Sequence, residues 1–201
     1  MGNESLFNHP SIGIVGCGNI GGKQAANFLD RGYPVYIYDL NPDTMTKLQG
    51  LGARITHSCA ELATSSDIIF SCLPTPADTI AAVLEGDNNL SQGVRSGSVY
   101  VDMTTNSPET VLRLHHAMET LGVEMLDAPF NDAPVGAQSQ VSRGFILASG
   151  SQVTFERIQP ILELMADRVL YCGEIGSGTR CKLIHNAVNA VAHPDTALTN
   201  R

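Results

Sequence analysis

At 201 residues and 43% hydrophobic content, the chain can bury one sizeable core, which fits one domain or one domain with an appendage. A formal net charge of −8 without a basic patch excludes nucleic acid and anionic membrane as partners and leaves a small soluble molecule as the expected ligand. Five cysteines, Cys17, Cys59, Cys72, Cys172 and Cys181, fall in no paired spacing, which argues against a disulfide framework and points to a reducing cytosol.

Residues 1–10 have neither an apolar core nor a positive leader. No stretch approaches the roughly 20 apolar residues of a membrane span, so the expected location is cytoplasmic. Residues 12–15 read as the first strand, short and β-branched. Gly16-Cys17-Gly18-Asn19-Ile20-Gly21 follows directly and opens a helix, and only this strand-to-helix context gives the motif meaning. The first glycine permits a tight turn, the second lets a pyrophosphate reach the backbone, and the third lets helix and strand pack closely. Residues 34–38 form a second strand that ends at Asp39, 18 positions after Gly21. A carboxylate there accepts hydrogen bonds from adenine-ribose hydroxyls and repels a 2′-phosphate, and Leu40 stands where an NADP-binding chain would place arginine. The expected cofactor is therefore NAD rather than NADP.

Further strands are read at residues 68–71, 99–101, 124–126 and 169–171, separated by helix-like stretches. Ser58 is a weak helix start, and Ser107-Pro108-Glu109 a good one, with a capping hydroxyl, proline at the first helical position and an acid near the positive end. This alternation predicts an α/β fold, a Rossmann-type doubly wound and mainly parallel sheet. Residues 176–192 read as one long helix opened by Gly176-Ser177-Gly178, with Lys182 and Asn186 four apart on one face. A lysine beside a cofactor can hold a substrate oxygen and exchange its proton as hydride moves. No His, Cys and acid spacing suggests a metal.

The order of these motifs resembles the 3-hydroxyisobutyrate dehydrogenase family of β-hydroxyacid dehydrogenases, over nearly the whole chain. Cys72-Leu73-Pro74-Thr75 resembles the family's Leu-Pro loop over the cofactor, with Asp78 nearby at a position where relatives also touch it. Asp102-Met103-Thr104-Thr105-Asn106-Ser107-Pro108 resembles the turn whose last threonine, here Thr105, touches cofactor and lies near substrate. The resemblance makes Lys182 the catalytic lysine, Asn186 its substrate-positioning partner, and a small carboxylic acid the substrate. It also implies a nucleotide-binding domain over residues 1–172, with residues 173–201 beginning an interdomain helix whose helical carboxy-terminal domain is not in this sequence. Turnover by this chain is then open, and a non-catalytic dinucleotide-binding module is the rival reading. Leu183, Ile184, Ala187, Val188 and Val191 would be left partly uncovered, which suggests a homodimer.

Relatives carry Asp-Ala-Pro-Val followed by Ser-Gly-Gly, whose hydroxyl and amides grip the substrate carboxylate, and no Ser-Gly-Gly occurs here. If Asp127 is the equivalent aspartate, Asn131, Asp132 and Ala133 take that place and Asp132 would repel an anionic substrate. If Asp132 is, Gly136, Ala137 and Gln138 do. The pattern Lys182-x-x-His185-Asn186 is similar to that of 6-phosphogluconate dehydrogenases, where the histidine faces substrate; Asp39, Leu40 and the Thr104-Thr105 turn speak against that subgroup, and His185 is expected to pack on the domain.

Overall fold

The structure, a computed structural model, describes residues 9–132 and 144–192. Strands β1 (Ile12–Val15), β2 (Val35–Tyr38), β3 (Arg54–Ile55), β4 (Ile68–Ser71), β5 (Val99–Asp102) and β6 (Glu124–Asp127) pair in parallel in the order β3-β2-β1-β4-β5-β6. Beyond β6 the sheet changes sense. β8 (Phe145–Gly150) runs antiparallel to β6 and to β7 (Phe130–Asn131), while β9 (Arg168–Tyr171) lies parallel to β8. The helices are α1 (Asn19–Asp30), α2 (Pro42–Gln49), α3 (Cys59–Thr64), α4 (Pro76–Ile80), α5 (Pro108–Thr120), α6 (Gln152–Leu162) and α7 (Ser177–Ala192). A π-helical turn, Ala81–Glu85, continues α4.

Alternation along the strands divides the core into two layers. Ile12, Ile14, Ile37, Phe70, Val101 and Leu126 face one side, with Phe28 of α1 and Phe155, Ile158 and Leu162 of α6. Val15, Ile69, Tyr100 and Met125 face the other, with Leu62 of α3 and Val111, Leu114 and Met118 of α5. Each fully buried side chain of this size contributes about 1.5–3 kcal/mol, so both faces are held by burial, as a doubly wound sheet requires. From β1 the chain winds outward to β2 and β3 on one side and returns to β4 on the other. That reversal opens a crevice at the carboxyl ends of β1 and β4, the usual ligand position in such sheets.

The six strands read from sequence are all present; β3, β7 and β8 are additions to that reading. Both serine caps form: the Ser58 side chain accepts from Glu61 N, and Ser107 from Thr110 N at 3.1 Å. Beyond its first turns α7 is solvent-facing, with Ile184 and Val188 well exposed and Val191 at 83%.

A candidate dinucleotide and lysine site

The β1–α1 turn is shaped by what side chains would strike. Gly16 has φ +84°, and a Cβ on it would stand 2.3 Å from the Cys72 carbonyl; one on Gly21 would stand 1.9 Å from the Gly16 carbonyl. Gly18 is different: a Cβ there would meet nothing within 4 Å. The missing side chain at Gly18 therefore clears space outside the protein's own packing. Gly18 is also the N-cap of α1 and offers no side-chain cap, and no acid occupies the first turn. The first amides of the helix are thus left for an anion, which fits a pyrophosphate. Asn19 is exposed, and Ile20 packs against the core.

Asp39, at the end of β2, accepts from Cys17 N at 2.6 Å and from Asn41 N at 2.8 Å, one bond on each oxygen. Each oxygen keeps a lone-pair direction for a ribose hydroxyl. Gly16, Gly18, Asp39, Leu40, Leu73, Pro74 and Asp78 all line one cavity of about 610 Å³. Leu40 is 89% exposed and brings no cation. Cys17 is chemically quiet, its thiol pushed up to about 12 by burial and then by the Asp39 charge. Asp78 also serves α4: Thr75 Oγ1 donates to its carboxylate at 2.6 Å, and its amide donates to Thr75 Oγ1 at 3.1 Å. Cys59, Asp87 and Asn89 line the same cavity and were missed in the sequence, where nothing periodic marks them.

The Leu-Pro loop is tied to the β5–α5 turn, since Leu73 N donates to Thr104 Oγ1 at 3.1 Å. That turn hangs on buried Asp102, which accepts from Ser71 Oγ at 2.8 Å, Thr104 N at 3.1 Å and Asn106 Nδ2 at 2.5 Å. Burial pushes the Asp102 carboxyl up to about 6, against the pull of these hydrogen bonds. Thr105, half-buried between Thr104 and Asn106, lies on this turn and is not among the cavity-lining residues.

A second constellation roots α7. Asp127, buried at the end of β6, accepts from Gly176 N and Thr179 N at 2.8 Å each and from the Ser149 hydroxyl. Ser149 Oγ in turn accepts from Gly178 N at 2.9 Å. A carboxylate on the first amides of a helix satisfies orphan donors and opposes the dipole's positive end. Gly178 packs so closely that a Cβ would lie 2.2 Å from the Leu147 carbonyl.

Lys182 lies on the next turn, half-buried, and its Nζ donates to Asn131 Oδ1 at 2.5 Å. Burial lowers its pKa. Asn186 is exposed one turn further on. His185 meets Phe145 edge to face at 5.3 Å and lies 3.3 Å from the Asn189 amide, packing on the domain. Asp132 turns toward Lys23 at 3.3 Å in an exposed pair. Of the two candidate loop aspartates, Asp127 ends a strand and is buried, whereas Asp132 follows β7 and is exposed. Ala133, Gly136, Ala137 and Gln138 lie outside the described residues.

A glycine turn against an uncapped helix, an acid closing β2 and a cavity at the sheet's switch point define a dinucleotide-binding Rossmann domain. Residues 11–173 match the NAD binding domain of 6-phosphogluconate dehydrogenase, and the chain belongs to that family. The human mitochondrial 3-hydroxyisobutyrate dehydrogenase is 32% identical over 195 residues, covering 97% of this chain and 57% of that protein. The 2-(hydroxymethyl)glutarate dehydrogenase of Eubacterium barkeri is 30% identical, covering 87% and 57%. The crystal structure of 3-hydroxyisobutyrate dehydrogenase from Salmonella typhimurium superposes with a TM-score of 0.82 at 26% identity, covering 94% of this chain and 65% of that one. The chain spans a little over half the length of these curated relatives. No helix among the described residues is long and apolar enough to cross a membrane, and no group of three or more His, Cys, Asp or Glu among them could hold a metal.

Proposed function

We propose that this chain is the nucleotide-binding, lysine-bearing part of an NAD-dependent oxidoreductase of the 3-hydroxyisobutyrate type, acting on a small β-hydroxyacid or its semialdehyde. The observation that carries this reading is Lys182: a half-buried amine whose pKa is lowered by burial and whose hydrogen-bond partner is a neutral amide. Burial makes such an amine shed its proton more readily than a free lysine, as oxidation of an alcohol requires. When bound, the dinucleotide supplies the hydride acceptor. Lys182 as neutral amine then takes the hydroxyl proton while the carbinol C–H pair leaves as hydride; in reduction the ammonium returns that proton to the forming alcohol.

Gly16, Gly18, Asn19, Ile20 and Gly21 cradle the pyrophosphate in this reading, Asp39 holds the ribose, Leu40 flanks it, and Leu73, Pro74, Asp78 and Thr105 close over the cofactor. The Asp39 carboxylate and the uncharged Leu40 favour NAD over NADP. Asn186, on the Lys182 face of α7, positions substrate with Thr105 and, in the register that takes Asp127 as the loop aspartate, with Asn131 and Asp132. The division at residue 172, a reducing cytoplasmic location and a homodimer formed over α7 belong to the same proposal.

A second reading, a non-catalytic dinucleotide-binding module, is favoured by the exposed Leu183, Ile184, Val188 and Val191, which mark a surface for association more than for chemistry. Fluorescence titration with NADH and NADPH, followed by β-hydroxyacids with NAD, separates the two. Lys182→Ala is expected to abolish turnover and leave NADH affinity within twofold; an equal loss of both would remove Lys182 from the chemistry. NADH binding without turnover by the parent would select the module.

A further inference from the structure

Cys17, Cys59 and Cys72 are packed into the two core layers. Cys172 and Cys181 lie elsewhere, at the root of α7. Cys172 directly follows β9, and its amide donates to the Ala148 carbonyl of β8 at 2.7 Å. The ring of Tyr171 meets Phe155 of α6 at 4.9 Å, so the alternation of the strand directs Cys172 to the opposite face of the sheet, where α7 lies beside α5. Gly178 rests on the Leu147 carbonyl of β8, and Cys181, three residues further along α7, falls on that sheet-facing side. Both cysteines are thus brought to the same stretch of β8 from different elements, and their thiols are in hydrogen-bonding contact.

The two sulfurs differ in their surroundings. Cys181 is exposed. Cys172 is half-buried, its thiol donating weakly to the Leu170 carbonyl at 3.7 Å and pushed up to about 11 by burial and then by the neighbouring Cys181.

We infer that Cys172 and Cys181 form a reversible redox pair, which hydrogen peroxide converts to a disulfide that fastens the second turn of α7 to the end of β9. The Cys181 sulfur, reachable from solvent, attacks one peroxide oxygen; the O–O bond breaks, water leaves and a sulfenic acid remains. The Cys172 sulfur then displaces the hydroxyl of that sulfenic acid, which departs as a second water while the S–S bond closes. Two thiols lose two electrons and two protons, and one peroxide becomes two waters. A thiol like Cys172 is slow against a dilute oxidant, but against a sulfur already touching it proximity compensates. In a reducing compartment such a bond is transient, the usual form of a redox signal there. Cys181 immediately precedes Lys182, so the bond restrains the turn that carries the amine.

The test treats the full chain with hydrogen peroxide, then denatures it, alkylates the remaining thiols and maps peptides by mass spectrometry without reductant. A peptide pair linked through Cys172 and Cys181 is expected, with Cys17, Cys59 and Cys72 alkylated and the link lost on adding dithiothreitol. In Cys172→Ser, Cys181 should accumulate as a sulfenic acid trapped by dimedone, about tenfold above the parent. Because the bond closes a ring of only ten residues, 172–181, the oxidised form should melt roughly 5–10 °C above the reduced one. Cys181 oxidised in the parent without a link to Cys172, a Cys181–Cys181 link between two chains, or both thiols left unreacted by a large excess of peroxide overturns the pair. A linked form that melts no higher than the reduced one overturns the fastening of α7. These readouts need neither cofactor nor turnover, so they stand or fall apart from the oxidoreductase reading.

Discussion

Gly18 and Gly21 stand three residues apart in one motif, yet their geometry predicts opposite consequences for the same substitution. At Gly21 an added Cβ would lie 1.9 Å from the Gly16 carbonyl, about 1.5 Å inside the 3.4 Å at which ordinary contact begins. The obstacle is main chain, so α1 must move away from β1. Overpacking of this kind typically costs 1–3 kcal/mol, and a rigid obstacle argues for about 3. In a domain of this size that lowers Tm by roughly 6–12 °C. At Gly18 the same methyl meets nothing within 4 Å, and the backbone is extended with φ −67°. Gly18→Ala should therefore melt within about 1 kcal/mol of the parent, with any change upward, because alanine restricts the unfolded chain. Its cost should fall on the cofactor. Loss of a single amide bond to a phosphate, about 1.5–3 kcal/mol, weakens NADH binding roughly tenfold to hundredfold. Thermal unfolding by circular dichroism and NADH fluorescence titration give the two readouts. A Gly18→Ala protein that melts as low as Gly21→Ala, or binds NADH as tightly as the parent, would refute the argument.

Asp127→Ala strips the acceptor from Gly176 N, Thr179 N and the Ser149 hydroxyl in a buried site. A loss of about 2–4 kcal/mol in urea unfolding is expected, with faster amide exchange at residues 176–179; a loss below 0.5 kcal/mol would count against the anchoring of α7. Asp102 has an unusual sign. Its folded pKa, about 6, is raised above the ordinary 3.8, so the folded state holds the proton more tightly. Its contribution to stability declines as pH rises from about 4 to 6, by at most about 3 kcal/mol, and is constant below and above that window. Carboxyl ¹³C titration should place the Asp102 midpoint near 6, and a midpoint below 4 would contradict it.

What the sequence disclosed was local. Strand β1, the glycine turn and Asp39 lie within 28 residues, and their spacing carries the chemistry. Ser58 and Ser107 revealed their helices because a cap is decided by the next three residues. Strands β3 and β7, at two residues each, have no period to read, and the Phe-Ile-Leu-Ala run of β8 serves a buried strand or a helix equally well. The anchoring role of Asp127 depends on partners 49 and 52 residues away, and the Lys182–Asn131 bond on a separation of 51. No short-range pattern carries such information. The same distance explains why the two loop aspartates looked equivalent in sequence, although one is buried at a strand end and the other faces solvent.

The buried root of α7 makes the helix a lever with a fixed fulcrum. Its 16 residues extend about 24 Å from the Asp127–Ser149 anchor, and Lys182, sixth along it, sits only about 8 Å out. A tilt of about 5° carries the far end through about 2 Å but displaces the lysine by about 0.7 Å. Loads borne by the outer turns, where Val188 and Val191 are bare, would thus reach the amine reduced threefold, so that the Lys182–Asn131 bond is shielded from movement of the tip.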